Sequence, residues 1–355
     1  MQHSTFTLPS DDGIQLAGRC WLPDGDVRAV LQISHGMNEH CARYERLASA
    51  LTPLGYAVYS HDHRGHGGTA QGHTLGFLAA EDGWSKVVSD VRKVTEHARA
   101  AHPVVPLFLM GHSMGSYSVQ TYVGRWNDVQ GVVLSGSSSS ESFLAKIGRK
   151  IARFERWRNG ADKPSALLTR MSFGDFARKF KDRKTEFDWL SRDEAEVQKY
   201  IDDPLCGFDS TTQLWVDLLD AFPQMAAPAH WAKVPQDLPI YVFSGSADPV
   251  HDDQKGWNRL LALFTGRGFT DVTTRLYEGA RHETLNETNR AEVMDDLATW
   301  MERVVQANSS ETAPAAETAP AAETAPASET ASAAETAPAA ETAPAAETAP
   351  APETV

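Results

Sequence analysis

The sequence predicts an α/β fold: a mostly parallel central sheet flanked by helices, with an inserted helical cap. Three observations predict it. Short apolar runs of strand length recur along the chain, stretches of helical apolar period alternate with them, and the alternation lapses once, over about residues 137–235, before it resumes.

Residues 5–9 and 15–22 read as two antiparallel strands. The runs at 29–34, 56–60, 107–110, 132–134, 240–244 and 272–277 follow, and most suit strands buried on both faces of a parallel sheet. Between them, residues 43–54 place Tyr44, Leu47, Leu51 and Leu54 on one helical face. Residues 84–98 do so with Trp84, Val87, Val88, Val91 and Val94, and residues 289–305 with Val293, Leu297, Trp300 and Val304. Such alternation implies right-handed crossovers. The lapse is rich in Lys, Arg, Asp, Phe and Trp and holds no buried-strand run, so it reads as a helical cap inserted after the 132–134 strand. The expected organisation is a core in two parts, 1–136 and 236–308, a cap at 137–235, and a tail at 309–355.

The tail repeats ETAPAA with a period of six and carries no aromatic residue. It cannot bury enough apolar surface to offset the entropy of ordering, so a disordered, extended and inert tail is expected. Overall, 41% of residues are hydrophobic and 23% charged, ordinary for a globular chain. The net charge is −14, but eight glutamates lie in the last 45 residues without one Lys or Arg, which leaves a mild −6 for the rest. No basic tract marks a nucleic-acid surface. Cys20, Cys41 and Cys206 are odd in number and widely spaced, which argues against a disulfide framework or a zinc pattern and fits a reducing compartment. The N-terminus is polar and no apolar run is long enough to span a bilayer, so a cytoplasmic location is expected, with no signal of oligomeric state.

The chemistry starts at Gly111-His112-Ser113-Met114-Gly115, a G-x-S-x-G pattern between the 107–110 strand and a helical stretch at 117–126. A strand–turn–helix context is what a nucleophile elbow requires. Glycines at 111 and 115 permit a very tight turn, and the serine hydroxyl then stands clear at a helix N-terminus that favours developing negative charge. A serine needs a base, and the base an orienter. Asp248 lies just past the 240–244 strand and His282 just past the 272–277 strand, at the carboxyl edge where sites collect in open α/β sheets. The order Ser113, Asp248, His282 is one recognised for this kind of triad. Two backbone N–H groups should complete an oxyanion hole: Met114 after the serine, and Met37 in the loop Ser34-His35-Gly36-Met37-Asn38-Glu39-His40, where Gly36 opens the turn. The segment His61-Asp62-His63-Arg64-Gly65-His66-Gly67 holds metal-ligand residue types, but a loop that ties strand ends by hydrogen bonds needs the same ones, with an Arg64–Asp62 pair inside it. No metal or organic cofactor is expected.

HGMNEH, RYERLASAL, GYAVYSHDHRGHGGT, GHSMG, SGSADPV and GARHE, in this order over about residues 10–306, resemble the monoacylglycerol lipase and lysophospholipase branch of the α/β-hydrolases, with its serine aminopeptidase-type hydrolase domain. The resemblance implies the α/β-hydrolase fold, a helical cap over the site, the triad Ser113, Asp248 and His282, and oxyanion donors at Met37 and Met114. One departure is Ser116 where many members have glycine after GHSMG. The expected function is hydrolysis of a lipid-like carboxylic ester, a monoacylglycerol or lysophospholipid, through an acyl-enzyme on Ser113, with transient membrane-surface contact through the cap. Phe173, Phe176, Phe180, Phe187, Trp189 and Trp215 are candidates for an acyl pocket, most of them better suited to cap core.

Three rivals stand beside it. A short-chain carboxylesterase would use the same site. A serine aminopeptidase would need a carboxylate such as Glu39, Asp188 or Glu194 near the pocket to hold an ammonium. A non-catalytic binding protein is disfavoured because all three triad positions are filled, and dehalogenases and epoxide hydrolases are disfavoured because they place Asp where Ser113 stands.

Overall fold

The computed structural model describes residues 1–140 and 143–312, so the ETAPAA tail lies outside the described residues apart from the helix end at Thr312. Eight strands form one sheet: β1 (Gln2–Pro9), β2 (Gln15–Leu22), β3 (Ala29–Ser34), β4 (Tyr56–His61), β5 (Leu107–His112), β6 (Gly131–Ser135), β7 (Ile240–Gly245) and β8 (Val272–Tyr277). Their spatial order is β1-β2-β4-β3-β5-β6-β7-β8. The β1–β2 and β2–β4 pairs are antiparallel and every other pair is parallel. The loops after β3, β5, β7 and β8 therefore leave from one edge of the sheet.

Period-two side-chain alternation fills both faces. Ala29, Leu31 and Ile33 of β3, Phe108 and Met110 of β5, and Tyr241 and Phe243 of β7 pack with α1 (Glu45–Leu51) and α11 (Arg290–Thr312). Their alternates Val30, Leu107, Leu109, Ile240 and Val242 pack with α2 (Gly83–Ala101), α3 (Met114–Val123) and α10 (Lys255–Gly266). One strand differs from the other parallel ones, and two expectations are corrected, for Leu54 and for the start of the third helix. β8 is an edge strand whose Thr273, Thr274 and Arg275 face solvent. Leu54 is exposed, because α1 stops at Leu51 and a 3-10 turn containing Pro53 leads out of it. The third helix begins at Met114, directly after Ser113, rather than near residue 117.

Between β6 and β7 lie α4 (Phe143–Asn159), the short helices α5 (Ala166–Thr169) and α6 (Asp175–Arg178), then α7 (Glu194–Asp202), α8 (Thr212–Ala226) and α9 (Pro228–Trp231). This segment is anchored rather than loose: Leu214, Leu218, Ala221 and Met225 of α8 enter the same core as α2 and α3. Among the described residues no helix is long and apolar enough to cross a membrane.

The histidines after β3 and β4 act as hydrogen-bonding ties. His35 accepts from the His63 amide at 2.9 Å, and His63 bonds the Ser34 hydroxyl at 3.0 Å. Arg64 does not pair with Asp62. Its guanidinium spans Asp90 and Asp12, whereas Asp62 accepts from the amides of Cys41 and Gly68. Asp62 thereby fixes its own turn, and Arg64 reaches back to the start of the chain.

His35, His61, His63 and His66 are buried, and burial is the main cause that holds each pKa down, His61 to about 4. Below about pH 6.5 the unfolded chain binds protons at these positions that the folded one refuses, so stability falls as pH drops from there toward 4. His61 alone should contribute about 3 kcal/mol to that loss. Neither of its ring nitrogens has a partner among the described residues. Thermal midpoints measured from pH 7 to 4 should fall steeply, and His61→Leu should flatten the fall.

Candidate active site

Ser113 occupies the single position between β5 and α3, with φ 52° and ψ −118°. This is an unfavourable conformation for an L residue, and it persists because the neighbours over-determine it. A Cβ at Gly115 would run into the Ser34 carbonyl, and one at Gly111 into the Gly115 carbonyl, so β3, β5 and α3 approach closely only with glycine at both points. The Ser113 amide donates to Ser135 O at 2.9 Å. Ser116, the departure from glycine, is fully buried and satisfied: its hydroxyl donates to Ser113 O at 2.6 Å and contacts the Ser137 hydroxyl at 2.8 Å.

Asp248 and His282 come from the loops after β7 and β8 and meet there. His282 Nδ1 lies 2.9 Å from Asp248 Oδ2, and both side chains are buried. Asp248 also accepts from the Ser244 hydroxyl at 2.7 Å and the Val250 amide at 2.9 Å. With Nδ1–H donated to Asp248, Nε2 is left as the basic nitrogen. Burial opposes both charged forms, but the mutual attraction and hydrogen bond override it. Asp248 is held well below the usual carboxylate range, and His282 is raised above 6.5 with help from Glu283 and Glu39. Ser113 and His282 line one cavity of about 520 Å³. Among the described residues Ser113 Oγ makes no hydrogen bond to the imidazole, which fits the loose geometry common in such pairs before substrate aligns them.

The loop 34–40 brings Met37 and Gly36 to the same cavity. The Met37 amide bonds no carbonyl among the described residues, and Met114, as the first residue of α3, has no helical acceptor for its own. This loop is held by a buried ionic bridge that the sequence did not reveal. Glu39 accepts from the Gly36 amide at 2.5 Å, the Tyr44 hydroxyl at 2.9 Å and Arg43 at 2.7 Å. Arg43 also makes a bidentate pair with Glu283 at 2.6 and 2.7 Å, and so ties the 34–40 loop to the residue after His282. Burial raises both carboxyls, but the Arg43 charge holds them below their ordinary values. The hint available in sequence was only that Glu39 and Glu283 each adjoin a motif.

Two aromatic rings flank His282. His112, which burial and the nearby imidazole hold at a pKa of about 4, lies 4.8 Å away, and Trp189 lies 5.0 Å away. Trp189 stacks on Phe173 at 5.5 Å and 9°. Phe173, Phe187 and Trp189 line the cavity, while Phe176 and Phe180 pack around them and Trp215, clustered with Ala152 and Leu168, meets the Phe173 ring at 5.8 Å. The carbonyls of Trp189 and Leu190 accept the amides of His282 and Glu283, so the inserted segment holds the histidine loop directly. Of the carboxylates considered for an ammonium, Glu39 is already engaged, Asp188 accepts from the Lys184 and Thr185 amides, and Glu194 is an exposed partner of Lys184.

A parallel sheet with a strained serine at a strand–helix turn and an Asp–His pair on neighbouring loops is the architecture of the α/β-hydrolases, and this chain is one. It belongs to the family described as serine aminopeptidase, S33, whose pattern matches residues 25–289. It is similar to the monoglyceride lipase of Mus musculus, at 30% identity over 86% of this chain and 93% of that one. It is likewise similar to the monoacylglycerol lipase of Mycolicibacterium smegmatis, at 28% identity over 81% and 93%. Among solved structures, a thermostable carboxyl esterase from Bacillus coagulans in complex with glycerol superposes with a TM-score of 0.79 at 23% identity, covering 86% of this chain and 99% of that one, and shares the fold. Family and relatives make the chain a carboxylic-ester hydrolase.

Arg43→Met would leave two buried carboxylates without a counter-charge. Urea unfolding should register a loss of about 3–5 kcal/mol, with Arg43→Lys recovering part of it.

Proposed function

We propose that the protein hydrolyses a lipid ester, a monoacylglycerol or lysophospholipid, through an acyl-enzyme on Ser113. The observation that carries this reading is the Asp248–His282 hydrogen bond on the cavity that Ser113 also lines. His282 Nε2 takes the proton from Ser113, whose oxygen attacks the ester carbonyl. The amides of Met37 and Met114 hold the oxyanion. The imidazolium returns its proton to the leaving alcohol, and water, deprotonated by His282, then releases the fatty acid.

An amphiphilic substrate suits the cavity. Its inner wall carries Phe173, Phe187 and Trp189, whereas the exposed Arg170, Arg178, Arg183, Glu186 and Asp209 around it suit a polar headgroup. The names of the relatives point the same way. Of the carboxylates expected to hold an aminopeptidase substrate's ammonium, Glu39, Asp188 and Glu194 are already committed, which leaves that role to Glu186 and Asp209 of the cavity lining, and turnover of aminoacyl anilides discriminates the two readings. Contact of the inserted segment with a lipid surface fits α4, which carries Lys146, Arg149, Lys150, Arg153, Arg156 and Arg158 beside the exposed Phe154 (56%) and Trp157 (79%).

Trp189 has a positioning role in this mechanism. Its ring stands against the imidazole and can stabilise the imidazolium by about 1–2 kcal/mol. Trp189→Leu should lower kcat/KM about tenfold and move its acid limb to lower pH, and Trp189→Phe should restore most of both.

The deciding assay compares wild type, Ser113→Ala and Asp248→Asn on monoacylglycerols, lysophospholipids, p-nitrophenyl esters of graded chain length and aminoacyl anilides. Ser113→Ala should lose about 10⁶-fold in kcat and Asp248→Asn about 10⁴-fold, both keeping wild-type thermal midpoints within a few degrees. Because His282 must be neutral to act as a base and its pKa is raised, kcat/KM of the wild type should fall with acidification through a value above 6.5. Full activity in Ser113→Ala would refute the acyl-enzyme, and turnover of anilides alone would refute the ester substrate.

A further inference from the structure

We propose that His40, Asp203 and Cys206 form a binding site for a single zinc ion, separate from the hydrolytic centre. The three come from two segments far apart in sequence: His40 ends the 34–40 loop, and Asp203 and Cys206 follow α7. One ligand atom from each, an imidazole nitrogen, a carboxylate oxygen and the thiol sulfur, lies within 4.8 Å of the other two. His40 Nε2 and Asp203 Oδ2 are already 2.8 Å apart. Zinc takes sulfur at about 2.3 Å and nitrogen or oxygen at about 2.0–2.2 Å, so small side-chain shifts bring all three onto one ion and leave a fourth position for water.

Charge and chemistry favour zinc over calcium or magnesium. Thiolate and imidazole are ligands of borderline-soft ions, and a single carboxylate is too few for a hard cation. On binding, the Cys206 thiol gives up its proton to water as the sulfur–zinc bond forms, and the Nε2 proton of His40 passes through solvent to Nδ1, so that the His40–Asp203 hydrogen bond is replaced by a nitrogen–zinc and an oxygen–zinc bond.

The surroundings are arranged to hold the ligands. Asp203 Oδ1 accepts the Leu205 amide at 2.9 Å, which orients the carboxylate and leaves Oδ2 for the ion. The Cys206 amide donates to Asp203 O at 3.0 Å, which fixes the turn that carries both ligands. The two segments are joined independently of any ion: the Gly207 amide and the Tyr200 hydroxyl donate to Asn38 O at 3.0 and 2.9 Å, and Ser210 donates to Asn38 Oδ1 at 2.5 Å. Such preorganisation is what separates a metal site from a chance encounter of ligand types. An outer cleft lined by His40, Asp203, Arg46 and Lys199 offers a way in. None of the three ligands lines the substrate cavity, although their neighbours Glu39, Tyr200 and Gly207 do.

Cadmium is the probe of choice, because its bond to thiolate absorbs in the ultraviolet. Titration of the full-length protein with Cd²⁺ should give one thiolate-bound ion per chain. Cys206→Ser should abolish the absorption, Asp203→Asn should weaken binding at least tenfold, and Ser113→Ala should bind as wild type does. Saturating Zn²⁺ should raise the thermal midpoint by several degrees in wild type and Ser113→Ala but not in the two ligand variants. Should Cys206→Ser fail to fold, Asp203→Asn decides alone. Absence of the thiolate signal, its persistence in Cys206→Ser, or equal affinity in Asp203→Asn would each overturn the site.

Discussion

Arg43 is the interaction on which the site's geometry rests. One buried guanidinium lies between Glu39 and Glu283, residues of two loops that leave different strands. Desolvating three charges is expensive unless each is matched, and here the match is nearly complete: bidentate on Glu283, single on Glu39, with the Gly36 amide and Tyr44 hydroxyl taking the remaining Glu39 lone pairs. The loop proposed to stabilise the oxyanion and the loop that carries the proposed base therefore cannot drift apart without exposing an uncompensated charge to the protein interior. The same two carboxylates add to the rise in His282 proton affinity that Asp248 chiefly causes.

A second constraint works through the backbone. Ser113 is held at positive φ by a turn that only glycines at 111 and 115 allow, because β3 and α3 approach to within backbone contact there. The result points the serine away from the sheet at the start of a helix. Ser116 explains how a hydroxyl is tolerated below the turn: it bonds the Ser113 carbonyl and Ser137, and so reinforces the strained residue instead of leaving a buried polar atom unpaired.

Much of this is legible in the sequence. Five of the eight strands stand out as apolar runs because strands inside the sheet are covered on both faces. β8 stands apart because an edge strand keeps its branched residues while Thr273, Thr274 and Arg275 meet water. The sequence pattern places the start of the third helix three residues late because Met114-Gly115-Ser116 lacks an apolar period, while the glycine serves close packing rather than ending the helix. For Arg64 the sequence offers only the local partner Asp62, whereas the fold supplies Asp90 and Asp12.

The sequence by itself determined the sheet, the flanking helices, and the serine, aspartate and histidine in their order, because each depends on a short-range pattern: period two, period 3.6, and a strand–turn–helix with glycines at fixed offsets. Only the tertiary structure decided what surrounds them. Arg43 meets Glu283 across 240 residues, His40 meets Asp203 across 163, and Trp189 reaches the His282 ring from the inserted segment. Such contacts depend on how the crossovers stack and on which side chains lose water together, and no local window of the chain encodes either.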